Sequence, residues 1–370
     1  MDTTRLNALH AAGQSIWLDY IDRTMLYNGD LERRLSDDVL TGMTSNPTIF
    51  EKALAQGTAY DEQLRGAPDS ATPLELFELV ETDDVRTACD IFADVYNETG
   101  GNDGYVSIEV SPGVANDANK TVEEARRLWK TVNRPNVMVK VPGTDEGAKA
   151  VRQLIADGIN VNITLLFAVE AHERVIDAYL HGLEDRLAKG ESIAHVSSVA
   201  SFFVSRVDTE VDKRLAAIGG NATALQGKAA IANAKMAYQL FQRKFSGARW
   251  DALAARGARV QRPLWASTST KNPAYRDVIY VEQLIGPNTV DTMPPATIDA
   301  FRDHGNVART VDANVDADEK VLKDIAAAGV DMRDVTDQLL REGIASFEKS
   351  FDSLISGLET KVDQLRAAAK

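Results

Sequence analysis

Cysteine is almost missing from this chain: its 370 residues contain one, Cys89. An intramolecular disulfide framework is therefore excluded. Histidine is scarce as well, with five residues at positions 10, 172, 181, 195 and 304. None falls into an HExxH or Cys/His pattern of metal-ligand spacing, so neither a metal nor a metal-dependent chemistry is expected. With only 11 prolines there is no collagen-like or proline-rich low-complexity stretch. No apolar run approaches the ~18 residues of a membrane-spanning helix. The segment Met1 to Met25 lacks a basic head followed by an apolar stretch and a small-residue cleavage site. A soluble cytoplasmic protein is the expectation. Positive charge is also in deficit: 41 Lys and Arg against 55 Asp and Glu leave a net charge of −14. Such a field repels polyanions, so neither nucleic acid nor an anionic membrane surface is an expected partner. A small anionic substrate held by local cations remains compatible.

What is present is an ordinary globular balance, with 44% hydrophobic and 26% charged residues. The length admits one large domain or two ordinary ones. Eight short β-branched or apolar runs recur between longer amphipathic segments: 15–21, 40–46, 104–110, 136–142, 159–167, 195–201, 262–268 and 288–294. Between them, Thr72-Pro73 opens a helix-like stretch, and 121–132, 169–187 and 222–245 show helical periodicity. Strands alternating with helices argue a parallel sheet, and eight of them argue a (β/α)8 TIM barrel with additional helices, as a single domain over residues 1–370. An antiparallel sheet with one wet face would show the same strand alternation, but the long helical connections fit parallel crossovers better. A long helix is expected at about 334–368, where Leu340, Ile344, Phe347, Phe351, Leu354, Leu358, Val362 and Leu365 recur at three- and four-residue steps. Packing against the barrel wall is the reading preferred for it over a coiled-coil partner, because Gly343 and Gly357 weaken a zipper. The Asp- and Ala-rich segment at about 305–332 has no assigned role.

Side chains alternate faces along a strand, so parity sorts the polar residues. Val137, Val139 and Val141 oppose Met138 and Lys140; Ile159, Val161, Ile163 and Leu165 oppose Asn160, Asn162 and Thr164. Val106, Ile108 and Val110 likewise oppose Ser107 and Glu109, and Ile16 and Leu18 oppose Trp17 and Asp19. The aliphatic sets suit covering helices and the polar sets the barrel interior. Asp19, Asn46, Glu109, Lys140, Asn162, Thr164 and Ser201 all fall late in their runs, toward the rim where barrel active sites are built. An inward lysine loses hydration, which favours the neutral amine that a Schiff-base nucleophile needs, while nearby carboxylates pull the other way. Asp19 and Glu109 could then divide the proton transfers. Composition alone leaves this reading level with a purely structural Lys/Glu/Asp network.

The segments TSNPTIF (44–50), SIEVSP (107–112), MVKVPGTDEGAKAV (138–151), NVNITLLF (160–167), SFFVSRVD (201–208) and ASTSTKNPAY (266–275), taken in order, resemble the transaldolase family. The resemblance spans roughly 15–295, and its most specific element is the K-V-P-G-T-x-x-G run at Lys140. It implies a reversible transfer of a dihydroxyacetone unit between sugar phosphates, from sedoheptulose 7-phosphate or fructose 6-phosphate to an aldose phosphate, with no cofactor. Lys140 would form the imine, Asp19 would take the hydroxyl proton that triggers carbon–carbon cleavage, and Glu109 would work through a water that Thr164 helps to hold. Asn46, Asn162 and Ser201 are similar to residues that bind the dihydroxyacetone end. Arg206 matches an arginine that holds the sugar phosphate. Lys271 stands where shorter members have a second phosphate-binding arginine, which keeps the charge but not the planar fork. A further departure is Ser45, where the family more often has Thr. Two rivals stay open: a fructose 6-phosphate aldolase releasing free dihydroxyacetone, and a noncatalytic sugar-phosphate binding barrel. Relatives with the first activity tend to carry Gln at the position of Glu109 and Tyr at that of Phe203, so both positions favour the transferase and place Phe203 among the substrate-contacting residues. A homo-oligomer is possible. GTDEGAK (143–149) lacks the spacing of a P-loop, and no GxGxxG opens a helix.

Overall fold

A computed structural model describes residues 3–55 and 57–368. Its eight strands are β1 (Gln14–Asp19), β2 (Leu40–Thr44), β3 (Tyr105–Glu109), β4 (Val137–Pro142), β5 (Val161–Leu166), β6 (Ser198–Phe203), β7 (Arg262–Ala266) and β8 (Thr289–Met293). They close in sequence order into one barrel, and every neighbouring pair is parallel. This is the expected (β/α)8 architecture. The helices over Ala118–Val132, Asp145–Ala156 and Val169–Ala188 make three of the crossovers. No described helix is long and apolar enough to cross a membrane.

Local chemistry explains where the elements start. Thr72 and Glu75 form a reciprocal capping box ahead of the helix Pro73–Ile91, with proline at the position where its missing N–H costs nothing. After β4 the chain turns sharply into the next helix. Thr144 Oγ1 accepts the Gly147 N–H at 2.9 Å, and a Cβ on Gly147 would lie 1.9 Å from the Pro142 carbonyl oxygen. Only glycine fits there, so the G-T-x-x-G run carries the turn that ends the lysine strand.

Three expectations need correction. The sixth strand begins at Ser198, not at 195. Asn160 Oδ1 accepts the Ser197 N–H at 2.9 Å, engaging that backbone group outside the ladder just before the strand begins. The helix expected over 222–245 is interrupted: a short 3-10 turn (Gly220–Leu225) precedes the helix Ala229–Lys244, and Gly227 between them has φ +71°. The terminal helix, Met332–Ala368, does not run along the barrel wall. It lies along the C-terminal rim, against the helix Pro47–Ala55 that follows β2, the turn after β3, the end of β5 and the helix Ser205–Ile218 that follows β6. Thr48 donates to Ser350 at 2.8 Å, Phe351 meets Phe77 edge-to-face at 5.7 Å, and Gly343 lets the helix pass close to Leu165. The segment left without a role forms the helix Val315–Ala327. It packs on the helix Ala229–Lys244, where the buried Lys235 ammonium donates to Asp318 at 2.9 Å and to the Ala313 carbonyl at 3.0 Å.

Candidate active site

Register brings the polar positions to one level. Glu109 on β3 pairs with Lys140 on β4, and Lys140 pairs with Asn162 on β5. Because parallel cross-strand partners share a face, all three side chains emerge on the same side. Lys140 is 5% and Glu109 7% exposed. The Lys140 ammonium lies 3.0 Å from Glu109 Oε2 and donates to the Ser45 carbonyl at 2.9 Å. An amine in this position is fixed by one charge, from the neighbouring strand β3, and one backbone dipole, from the residue that follows β2.

Asp19 pairs with Thr44 across β1 and β2. Thr44 Oγ1 donates to Asp19 Oδ1 at 2.8 Å and lies 2.6 Å from Thr292 Oγ1. Burial raises Asp19 above the ordinary aspartate range, while Lys140, the Thr44 hydrogen bond and Lys271 pull it back. Burial likewise raises Glu109; the Lys140 charge and contact oppose this, and Asp19 adds to the rise. Two carboxylates and one amine thus share a desolvated space, the condition under which protons move between side chains near neutral pH.

Beside them runs a chain of neutral groups. Ser201 Oγ donates to Asn162 Oδ1 at 2.6 Å, and Asn162 Nδ2 donates to Ser107 Oγ at 3.0 Å. The Asn162 amide is thereby held in one orientation. Thr164 Oγ1 is buried and has no hydrogen-bond partner among the described residues. Asn46 sits at the rim next to Ser45, with its Oδ1 accepting the Ile49 N–H at 3.0 Å at the start of the following helix. Phe203 packs on Phe167, ring centroids 5.3 Å apart, and the Arg206 guanidinium lies 5.3 Å from the centre of the Phe203 ring. Arg206 has no ion pair or hydrogen bond among the described residues; burial lowers its pKa, and the Glu342 charge on the terminal helix opposes this. Lys271 donates to Ser269 at 2.8 Å. Partial desolvation and the Arg206 charge lower its pKa, with Asp19 opposing.

The sequence over residues 16–358 matches the family model described as Transaldolase/Fructose-6-phosphate aldolase. The chain belongs to this family. It is similar along nearly its whole length to proteins named Transaldolase. That from Trichodesmium erythraeum is 46% identical, with 99% of each chain covered. The one from Saccharopolyspora erythraea is 47% identical, covering 98% of this chain and 99% of the other. The Mycolicibacterium smegmatis protein is also 47% identical, with 97% of each covered.

In this transaldolase/aldolase family member, three groups at the site escaped the sequence reading. Ser107 was sorted inward with Glu109 but was given no role. Thr44 and Thr292 lie on β2 and β8, whose faces carry no clean polar–apolar alternation to sort them. The Ser45 carbonyl is a backbone group that no side-chain pattern reveals. Among the described residues, no cluster of His, Cys, Asp or Glu could hold a metal ion.

Proposed function

We propose that this protein is a transaldolase acting through a Schiff base on Lys140, moving a dihydroxyacetone unit from sedoheptulose 7-phosphate to glyceraldehyde 3-phosphate to give erythrose 4-phosphate and fructose 6-phosphate. The observation that carries this reading is the buried Lys140 ammonium, 3.0 Å from Glu109 and 2.9 Å from the Ser45 carbonyl. In this reading Glu109 takes the Lys140 proton, freeing the amine to attack the ketose carbonyl. It then returns that proton to the carbinolamine hydroxyl, which leaves as water. The cation formed is an electron sink for the carbon–carbon bond that breaks. Asp19, from its separate position on β1, takes the proton of the hydroxyl on the departing carbon and gives it back to the acceptor aldehyde in the second half-reaction. Thr164, with its unused hydroxyl, suits the holding of the water that Glu109 works through.

Substrate placement follows the same reading. Asn46, Asn162 and Ser201 hold the hydroxyls of the dihydroxyacetone end, Phe203 walls the site, and Arg206 and Lys271 hold the phosphate. Two cations in a protein of net charge −14 give the dianion a local landing place. Phosphorylated sugars also suit a cytoplasmic setting.

The test is product analysis with fructose 6-phosphate as donor. Erythrose 4-phosphate as acceptor should yield sedoheptulose 7-phosphate and glyceraldehyde 3-phosphate, with little free dihydroxyacetone when the acceptor is omitted. Free dihydroxyacetone released equally fast without acceptor would identify an aldolase. Binding with no turnover would identify a binding barrel.

A further inference from the structure

Lys271 and Arg206 are like charges brought toward each other, each on a different element. Arg206 is on the helix Ser205–Ile218, and Lys271 is on the loop after β7. Desolvation, then the Arg206 charge, lowers the Lys271 pKa.

The loop is closed on itself by Thr270 Oγ1, which donates to the carbonyls of Arg276 at 3.1 Å and Asp277 at 2.9 Å. Within that closure Tyr275 reaches out to the helix that carries Arg206. Its hydroxyl donates to Asp212 Oδ2 at 2.5 Å, a phenol–carboxylate bond of the strong, charge-assisted kind. The other oxygen of Asp212 accepts the Gly227 N–H at 2.8 Å, so the carboxylate cannot swing away. Gly227 supplies the floor. With φ +71° and no Cβ it leaves room for the tyrosine ring, where a Cβ would meet Tyr275 Cζ at 2.7 Å. Burial and the adjacent Asp212 charge push the phenol pKa up, so it remains a donor.

We infer that Tyr275 and Asp212 are positioning residues for the phosphate of the substrate: their bond ties the Lys271 loop to the helix that carries Arg206, and fixes the spacing between the two cations. Arg206 and Asp212 are six positions apart on one rigid helix, and Lys271 and Tyr275 are four apart in one closed loop. Ser205 and Ser267 join the base of the loop to the start of the helix, and the Tyr275–Asp212 bond ties the part of the loop beyond Lys271. This inference rests on the proposal that Lys271 and Arg206 hold the phosphate. It assigns the tyrosine a task that involves neither the imine nor the proton transfers.

The experiment is steady-state kinetics of Tyr275→Phe, made both in the natural chain and in Lys271→Ala, with fructose 6-phosphate and with unphosphorylated fructose as donors. Tyr275→Phe should raise KM for fructose 6-phosphate about three- to tenfold, the factor that corresponds to ordering one flexible cationic side chain anew on binding. It should leave kcat within about twofold and leave turnover of fructose unchanged. In the Lys271→Ala background the same substitution should change nothing further, because the group it positions is gone. Thermal melts of each variant report the fold independently. An unchanged KM in Tyr275→Phe, alongside a raised KM in Lys271→Ala, would overturn the positioning role and leave the phosphate reading standing. Equal losses on both sugars, or a full additional loss in the Lys271→Ala background, would also overturn it, as the mark of a general structural bond. If Lys271→Ala itself left KM unchanged, the phosphate reading and this inference would fall together.

Discussion

Thr44 donates to Asp19 across the β1–β2 pair at 2.8 Å, and this is the one hydrogen bond that the Asp19 carboxylate receives from the described residues. The bond favours the ionised form, against the burial that opposes it. In the proposed role Asp19 must be ionised to accept a hydroxyl proton, so activity is expected to fall on the acid side as Asp19 takes up a proton.

Thr44→Val removes the donor while keeping the branched shape. Asp19 should then hold its proton to higher pH, and the acid limb of the kcat profile should move upward. Loss of kcat should be larger at pH 6 than at pH 8, while imine formation with fructose 6-phosphate persists. A limb that stays in place would show that another group controls it.

His172 is fully buried with both ring nitrogens unpartnered among the described residues. Burial lowers its pKa from 6.5 to about 3. The unfolded chain takes up this proton below about pH 6.5 and the folded one does not, so stability is complete above that pH and is lost as pH falls toward 3. Between pH 6.5 and 5 the loss amounts to about 2 kcal/mol as an upper value. Urea unfolding of His172→Leu at pH 7 and pH 5 should show a difference smaller by that amount than in the natural protein.

Glu81, on the helix Pro73–Ile91, is buried behind Glu109 in a crevice shared with Glu78, Ser111 and Glu124. Burial, then the Glu109 charge, raises its pKa well above the ordinary carboxylate value. The folded protein therefore keeps a proton that the unfolded chain releases above about pH 4.5, and this costs stability as pH rises. Glu81→Gln removes the cost. The variant should gain stability over the natural protein progressively from pH 5 to pH 8, with activity retained.

The fold was readable in the sequence because short β-branched or apolar runs recur between longer segments of 3.6-residue period. Each of the eight strands overlaps one of those runs, the sixth starting three residues late. The site was half readable from the same alternation: Glu109, Lys140 and Asn162 share parity on consecutive strands, and the structure pairs them. The path of the terminal helix was not readable. Its apolar stripe says that it packs but not on what, and the close passage of Gly343 by Leu165 depends on where β5 ends in space. Glu81 was invisible for a similar reason, since a carboxylate on an amphipathic helix reads as solvated until another element covers it.

The central claim is the imine on Lys140. The most direct measurement is borohydride reduction in the presence of fructose 6-phosphate, followed by mass spectrometry of the digested protein, on the natural chain and on Lys140→Ala. The account predicts one reduced dihydroxyacetone or sugar adduct, located on Lys140, and none in Lys140→Ala with its fold intact by circular dichroism. An adduct on another lysine, or labelling that survives in Lys140→Ala, would contradict it.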